Sequence, residues 1–488
     1  MSTHTLDALF PLPSQPPSSL SPTAMPGISE GSAAMLVQCL KEDYTKYHIF
    51  FNHMGFHNHL THHLFAAYKM GAKPSLIRAA FDEHADYQRP AFKSPKGPWA
   101  PKPNKAQSSL SYYNSYLDFF SNEVLTKGVA PTLETYVFAS DANWGSETDP
   151  NKAPQMLDRF MGGLVHPIIH FGHGAEFNIP GMAAEGLAWT AVHGTATKAL
   201  MPPEFFKSST VAGTLSSLTQ SLTLSSKPAA SGTHSFTILA RMLKDPKLAP
   251  GVVVQSKSGS KFADTLKKEG ALIRAYADEW VGDVSSAEEL KVKIEELSWL
   301  AVLIYGVGGW SKAHGFRADF FTMHLVTSSL FMPSVLALLS PQSQSALMRC
   351  YVAITLGYWV SRGRPPFPIA ESYEHVTAEP SPPVAAPKPN PQTLDKENIV
   401  QNPWFNVLQS TVAHPDEHLL KLQRSLAHYG MLYGDRTKGH WTGTELEGAE
   451  LLDGSVFVRV AGASLERHGP VREGAERGGW DRNGFFDL

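Results

Sequence analysis

Apolar residues recur every three to four residues along most of this chain, and that spacing is typical of amphipathic helices. The first clear stretches are 33–43, 59–70 and 76–87, and a Pro- and Lys-rich loop over 90–105 follows them. Further helices are predicted over 112–126, 133–138, 153–169, 183–200, 233–244, 260–279, 287–305, 311–339, 343–362 and 402–433. The sequence therefore predicts a mainly α fold, built as a single large helical domain.

Two Pro-rich segments interrupt the helical pattern. Residues 1–30 are expected to form a disordered tail, because this Pro- and Ser-rich stretch offers little apolar surface to bury. Residues 31–488 are expected to form the helical domain, with 373–397 as a flexible linker or lid within it. The most apolar stretch, 297–310, is shorter than the roughly 20 residues that cross a bilayer, so it predicts a buried core helix.

The composition of the 488 residues excludes several classes of protein. Hydrophobic residues make up 42% of the chain, which is enough to bury a large core. The net charge of −3 provides no basic surface for nucleic acid or for an anionic membrane. Two cysteines allow neither a disulfide framework nor a thiolate zinc site, and the N-terminus lacks the pattern of a secretory signal. We expect a soluble, cytoplasmic protein.

The chain contains 21 histidines, and many of them lie at the spacing of metal ligands. The segments that concentrate them are 55–64, 163–177, 319–330 and 410–426. His59 and His62 lie three residues apart, and His166 and His170 lie four apart. A helix places residues at either spacing on one face. The glycines after the second pair predict that its helix ends near Gly172.

The other two segments add single helical positions. His324 lies in an otherwise apolar stretch, and His418 shares a helical stripe with Lys421. Asp416, directly before this stripe, is also typical of a first-turn acid, so a purely structural capping role remains the alternative there. A lysine is a ligand only if burial lowers its pKa and CO2 carbamylates the amine.

Neutral imidazole is the commonest metal ligand, and helical bundles build metal sites from side chains on facing helices. We therefore expect a histidine-lined central pocket with a mononuclear, nitrogen-rich metal site, although spacing alone does not distinguish zinc, iron, copper and nickel. The alternative is that each histidine is a hydrogen-bonded core residue. The candidate ligands are His62, His170, His418, His324, His59, His166 and Lys421.

Aromatic residues beside the histidines predict an apolar pocket for a flat aromatic ligand. Asn58, Asp319 and Arg317 are the polar side chains expected to reach that pocket and to take part in catalysis. No dinucleotide-binding glycine loop, Walker A sequence, nucleophile elbow or H-E-x-x-H motif occurs. The sequence thus offers no motif for a bound flavin.

Six blocks of sequence, in order, resemble the questin oxidase family. Among them are GFHNHLTHHLFAAYKMGA at 55–72, GGLVHPIIHFGHGAEF at 162–177 and DFFTMHLVTSSLF at 319–331. The other blocks are 351–365, 402–430 and 471–487, so that the resemblance covers roughly 44–487. The family consists mostly of fungal, NADPH-dependent, Baeyer–Villiger-type oxidoreductases of aromatic polyketide pathways.

The resemblance implies an oxidoreductase that oxidises or opens the ring of an anthraquinone-like polyketide with O2. Since the matching blocks carry the histidines, we expect non-haem iron as the cofactor. NADPH, implied by the family, would then reduce the quinone substrate or the iron. Two alternatives stay open: a metal-free NADPH-dependent oxidation with histidine as acid or base, and a non-catalytic helical binding module.

Overall fold

The computed structural model describes residues 3–95, 109–149, 151–197, 199–206, 232–282, 286–381, 390–395 and 400–487. These residues are mainly helical, as the apolar spacing predicts. The helices of the first half are α1 Thr3–Leu9, α2 Glu30–Lys46, α3 Leu60–Lys69, α4 Pro74–Ala85, α5 Tyr113–Lys127, α6 Val129–Leu133, α7 Ser140–Asn143, α8 Met156–Phe160, α9 Gly162–Phe177 and α10 Pro180–Val192.

The second half continues the helical pattern. Its helices are α11 Ser235–Lys244, α12 Lys261–Val281, α13 Ala287–Val302, α14 Phe320–Ser329, α15 Met332–Leu336, α16 Pro341–Ser361, α17 Ile369–His375, α18 Pro403–Thr411, α19 Glu417–Tyr433 and α20 Val456–His468. Two short strands, β1 Trp310–Ser311 and β2 Gly315–Phe316, pair antiparallel. In the described part of the chain, no helix combines the length and the apolar content that a membrane span needs.

Helices α3, α9 and α10 form the centre of the fold. Every residue of α3 is buried, and so is nearly every residue of α9 and α10. Helix α9 packs against α10, α14 and α15, while α3 packs against α4 and α19. Helices that are apolar around their whole circumference belong in a core rather than at a surface. The histidines of α3 and α9 are therefore interior residues.

Helix α9 extends beyond the predicted end near Gly172, and that prediction is wrong. The helix ends at Phe177, where Asn178 adopts the left-handed conformation. Gly172 and Gly174 are helical because neighbouring residues pack directly against them. A Cβ on Gly172 would lie 2.5 Å from Cβ of Phe331, and one on Gly174 would lie 2.5 Å from the backbone nitrogen of Ala183.

The N-terminal segment also differs from the predicted disordered tail. Leu9 and Phe10 are 0% and 1% exposed, and the Phe10 ring lies 5.1 Å from that of Tyr44. Farther along, the hydroxyl groups of Ser21 and Ser334 lie 2.7 Å apart. This segment has few apolar side chains, but those of Leu9 and Phe10 are buried in the core. Their burial orders the segment.

The predicted linker 373–397 begins inside α17, which ends at His375. Residues 382–389 and 396–397 of that stretch lie outside the described residues. The long helix predicted over 402–433 is two helices, α18 and α19. Asp416 begins the second of them by accepting hydrogen bonds from the backbone nitrogens of His418 and Leu419, both at 3.0 Å.

Candidate metal centre

His59 lies at the N-terminal end of α3, and its neighbour Asn58 fixes that end. The Asn58 side-chain oxygen accepts a hydrogen bond from the Leu60 nitrogen at 2.9 Å. Its amide donates to Oδ1 of Asp43 at 3.0 Å. With the backbone held in this way, Nε2 of His59 lies 2.7 Å from Nε2 of His166 on α9.

An unusual backbone turn positions His166. Gly163, Leu164 and Val165 have φ angles of 54°, 56° and 58°, a left-handed region that a β-branched residue rarely adopts. The turn directs the Gly163 carbonyl at His166, whose Nδ1 donates to it at 2.6 Å. Because Nδ1 carries the proton, Nε2 of this neutral ring keeps a lone pair, which faces Nε2 of His59.

His324 on α14 and His418 on α19 are oriented in the same way. Nδ1 of His324 donates to the Phe320 carbonyl at 2.7 Å. Nδ1 of His418 lies 3.1 Å from Oε1 of Glu417. The Nε2 atoms of both histidines are buried and have no hydrogen-bond partner among the described residues. A carbonyl or carboxylate on Nδ1 is the arrangement that orients a metal-binding imidazole.

Four helices thus bring imidazole nitrogens to one place, and we call His59, His166, His324 and His418 the ligand cluster. The donor atoms of His166, His324 and His418 lie within 4.8 Å of one another. The rings of His59 and His418 lie 4.6 Å apart. Two nitrogens bound to one ion are at most about 4.2 Å apart, given bond lengths of about 2.0–2.1 Å, so small shifts close the cluster around an ion.

Burial keeps three rings of the ligand cluster, those of His59, His166 and His324, neutral. It lowers the pKa of His59, His166 and His324 well below the usual histidine value. A neighbouring basic group lowers each of these pKa values further. Lys421 acts on His59, His324 acts on His166, and His418 acts on His324. Neutral imidazole is the form that binds metal, so the protein presents ligands that need not lose a proton first.

Lys421 lies one turn after His418 and is 5% exposed. Its Nζ has no hydrogen-bond partner among the described residues. Burial lowers the pKa of Lys421 to about 8, although Glu417 and Asp416 act in the opposite direction. A buried lysine without a hydrogen bond is unusual, because lysine is rarely buried unless it is paired.

The structure places two predicted ligands, His62 and His170, outside the ligand cluster. Nε2 of His62 lies 3.1 Å from Nδ1 of His170, and Nε2 of His170 lies 3.3 Å from Oε2 of Glu185. Three of the four ring nitrogens are therefore engaged with each other or with a carboxyl group. Neither residue is among the groups of donor atoms described above.

The three predicted catalytic residues all have structural partners. Asn58 holds the start of α3, as described above. Asp319 accepts hydrogen bonds from two backbone nitrogens at the start of α14 and pairs with Arg362, with 2.7 Å between Oδ2 and Nη2. Nη1 of Arg317 donates to Asp487 near the C-terminus at 2.9 Å. These contacts fix backbone segments around the ligand cluster, and a catalytic role for these residues stays a prediction.

Sequence reasoning missed three residues of this region. The first is Glu417, whose Oε1 lies 3.5 Å from Nδ1 of His59 as well as 3.1 Å from Nδ1 of His418. The Nε2 atoms of His57 and His193 lie 3.4 Å apart. His57 belongs to the histidine-rich segment 55–64, whereas His193 follows α10 without any periodic signal.

Aromatic rings line the ligand cluster. Trp189 packs on His57 and His166, with ring centroids 4.9 and 6.0 Å apart. Phe320 packs on His324 and His418, with centroids 4.8 and 5.1 Å apart. A shallow depression lined by Gly306, Tyr373 and Arg459 lies elsewhere and has none of these side chains in its lining. The histidine-lined central pocket stays a prediction.

The fold and this site define a class: a mainly helical protein whose candidate metal centre is assembled from single histidines on separate helices. The sequence model of the family described as "Questin oxidase-like" matches residues 56–426. The chain belongs to the questin oxidase-like family, which confirms the resemblance seen in its sequence blocks.

Relatives are fungal proteins with oxidase names. The chain is 28% identical over 318 residues to a Baeyer–Villiger oxidase of Pestalotiopsis microspora, covering 64% of this chain and 66% of that protein. It is 25% identical over 316 residues to a Baeyer–Villiger oxidase of Pestalotiopsis fici, covering 62% and 63%. It is 31% identical over 159 residues to the questin oxidase of Aspergillus terreus, covering 32% and 34%. The aligned stretches thus span less than two thirds of each relative.

Proposed function

We propose that this protein is an oxidoreductase that uses O2 to oxidise or open the ring of an anthraquinone-like aromatic polyketide at a histidine-bound non-haem iron. The oxidase names of the relatives support the reaction class. The observation that carries the metal is the ligand cluster, in which single histidines from α3, α9, α14 and α19 direct nitrogens at one another.

The residues fit an iron ion for a reason visible in their hydrogen bonds. Nε2 of His324 and Nε2 of His418 are buried lone pairs without a donor, and such groups are costly to bury unless something binds them. His59 and His166 add two more nitrogens beside them. Nitrogen ligands suit several transition metals, and iron is among those whose redox chemistry with O2 matches an oxidase.

The bound iron would supply the binding and activation of O2, which an apolar protein interior cannot provide alone. The side chains have separate tasks. Glu417 and the carbonyls of Gly163 and Phe320 hold the Nδ1 protons and so orient the rings. Trp189 and Phe320 form flat apolar walls that pack on an aromatic substrate and exclude water.

Lys421 is proposed as an additional ligand after carbamylation. Its buried amine has no hydrogen-bond partner among the described residues, and its pKa of about 8 leaves a fraction of it neutral and nucleophilic near neutral pH. The Nζ lone pair forms a bond to the carbon of CO2 as one C–O π bond opens onto oxygen, and Nζ loses a proton to water. The product is a carbamate whose oxygens carry the negative charge. That charge balances part of the iron charge, which an unmodified ammonium group would instead repel.

NADPH is proposed as the reductant. The sequence contains no dinucleotide-binding glycine loop for a flavin. NADPH would accordingly reduce the quinone substrate or the iron directly.

Metal analysis tests the proposal. Protein purified without chelator is expected to contain about one iron per chain, and O2 uptake with hydroxyanthraquinones in the presence of NADPH is expected to depend on that iron. The variant His324→Ala should lose both. The matched control is His428→Gln, a buried histidine on α19 that bonds to the Leu20 carbonyl at 3.0 Å, and it should keep both.

Less than about 0.1 metal per chain, with activity retained in a chelator, would contradict the iron site and favour the metal-free NADPH reaction. No O2 uptake with any anthraquinone would favour a binding module. Dependence of iron content on added bicarbonate, lost in Lys421→Met, is the result expected for the carbamate. Iron content that is independent of bicarbonate would contradict the proposed carbamate on Lys421.

A further inference from the structure

A second buried set of titratable groups adjoins the ligand cluster and has no task in the function proposed above. We call it the carboxylate network, and its members are Asp43 on α2, His62 on α3, His170 on α9 and Glu185 on α10. Their exposed fractions are 3%, 0%, 1% and 3%. The rings of His62 and His59 lie 5.8 Å apart, so this network begins next to a member of the ligand cluster.

Hydrogen bonds join Glu185, His170 and His62 into a chain. Oε2 of Glu185 lies 3.3 Å from Nε2 of His170, and Nδ1 of His170 lies 3.1 Å from Nε2 of His62. Nδ1 of His62 is buried and has no hydrogen-bond partner among the described residues. Asp43 is held by the Asn58 amide at 3.0 Å. Each imidazole thus joins one neighbour to the next, and the chain ends on an unpartnered nitrogen.

The charge of Glu185 sets the direction of every hydrogen bond in this chain. When Glu185 is ionised, His170 donates to it from Nε2 and accepts from His62 at Nδ1, so Nδ1 of His62 carries a lone pair. When Glu185 is protonated, it donates to His170, which in turn donates to His62. Nδ1 of His62 then carries a hydrogen. A proton bound at Glu185 is therefore available at His62, two residues along the chain.

The surroundings favour one proton on the two carboxyl groups near neutral pH. Burial raises the pKa of Asp43 to about 7, helped by Glu185, and burial raises that of Glu185 to about 8. No Lys or Arg forms an ion pair with either carboxyl group in the described part of the chain. The other titratable groups that face the network are Tyr44, Tyr113, His173, His59, His166 and Lys421. Because each carboxyl group is buried without a cation, each keeps its proton to a higher pH than an exposed carboxyl group does.

We propose that the Asp43–Glu185 pair stores a proton and that His170 and His62 pass it to the substrate at the ligand cluster. This proposal rests on the proposed function. In the transfer, Nδ1–H of His62 is given to an oxygen atom of the bound substrate. His62 takes a proton at Nε2 from Nδ1 of His170, and His170 takes one at Nε2 from Glu185. The pair is left with one more negative charge until solvent returns the proton.

Infrared spectroscopy of the metal-free full-length protein tests the store without any activity. We expect a C=O stretch of a buried protonated carboxyl group that titrates between about pH 6 and pH 9 and shifts in D2O. Glu185→Gln should remove it. Asp43→Asn should move its midpoint to lower pH, because the like charge is gone. The matched control is Glu123→Gln, a buried carboxyl whose Oε2 accepts from Lys127 at 2.6 Å, and it should leave the band unchanged.

Kinetics of the iron-loaded enzyme test the transfer. Glu185→Gln should lower kcat with a hydroxyanthraquinone by about 100-fold, a typical loss for a general acid, while KM and iron content stay the same. Absence of the carboxyl band, or a kcat for Glu185→Gln equal to that of the wild type, would overturn the proposal. An inactive wild type that still shows the titrating band would instead refute the proposed function and leave the proton store supported.

Discussion

The ligand cluster and the carboxylate network contain the same type of side chain one turn apart on the same helices, yet their imidazoles do different things. On α9, Nδ1 of His166 donates to a carbonyl, whereas Nδ1 of His170 faces another imidazole. On α3, His59 belongs to the ligand cluster, whereas His62 belongs to the carboxylate network. In each histidine, the hydrogen-bond partner of Nδ1 determines whether Nε2 has a lone pair that can bind a metal. Two histidines at helical spacing therefore need not share one ion.

His173 on α9 shows that this rule needs a second condition. Its Nδ1 donates to the Ile169 carbonyl at 2.9 Å, and its Nε2 has no partner among the described residues. Its ring, however, packs against Phe65 and Phe331, with centroids 4.9 and 4.4 Å away. A free lone pair becomes part of a metal site only where other ligands meet it.

The largest expected effect distinguishes His166 from His170. His166→Ala removes a nitrogen of the cluster and should lower iron affinity by at least about 100-fold, whereas His170→Ala removes a more distant partner and should lower it by less than about 10-fold. Competition titration with a chelator measures both variants. Iron retained by His166→Ala but lost by His170→Ala would reverse the comparison drawn here.

A pair of glycines on α9 separates metal binding from packing. A Cβ on Gly163 would collide with His193 and lie 3.0 Å from Nε2 of His57, and the φ of 54° disfavours any side chain. A Cβ on Gly172 would meet Phe331. Each substitution to Ala should destabilise the fold by about 1–3 kcal/mol, as measured by denaturant unfolding. Only Gly163→Ala should also weaken iron binding, because it displaces the carbonyl that orients His166. Equal iron affinity in both variants would contradict this assignment.

Glu417 should have a smaller effect on the metal. Glu417→Gln keeps the shape of the side chain but weakens the hydrogen bonds to Nδ1 of His418 and His59, so iron affinity should fall by about 10- to 100-fold. Glu466→Gln, an exposed change on α20, is the control and should leave the affinity unchanged. An affinity that is the same in both variants would show that Glu417 does not orient these rings.

The histidines of the ligand cluster and the carboxyl groups of the network should change the stability in opposite directions with pH, and this is the smallest of the effects. The unfolded chain protonates its histidines below about pH 6.5, whereas His59, His166 and His324 stay neutral in the fold. The cluster should therefore reduce stability as the pH falls below about 6.5.

The folded network keeps a proton up to about pH 8, whereas unfolded carboxyl groups ionise near pH 4, so the network should reduce stability as the pH rises from about 4 to 8. Glu185→Gln should consequently be more stable relative to the wild type at pH 8.5 than it is at pH 5. The difference in unfolding free energy between variant and wild type should grow by more than about 1 kcal/mol between the two pH values. Denaturant unfolding at the two pH values measures this difference. A gain that does not change with pH would show that Glu185 is ionised throughout.

Local periodicity predicts the helices well, because it records which side of each helix is buried. It fails where distant residues decide the outcome. The local sequence predicts a helix end at Gly172, whereas the structure has a helical glycine there because Phe331 packs where a Cβ would lie. Phe10 reads as part of a disordered tail, yet its ring packs on Tyr44.

The site shows the same limit. Spacing identifies the histidine-bearing helices, including His324 and His418, and it singles out Lys421. It does not separate His59 from His62, because the partner of each ring comes from another helix. Glu417 is the clearest example, since one carboxylate contacts two ligand rings from different helices.

Anomalous diffraction at the iron absorption edge, from crystals of the iron-loaded protein, would locate the ion directly. We expect a single peak per chain within bonding distance of Nε2 of His166, His324 and His418 and next to His59. A peak between His62 and His170, or no peak in an active enzyme, would contradict it.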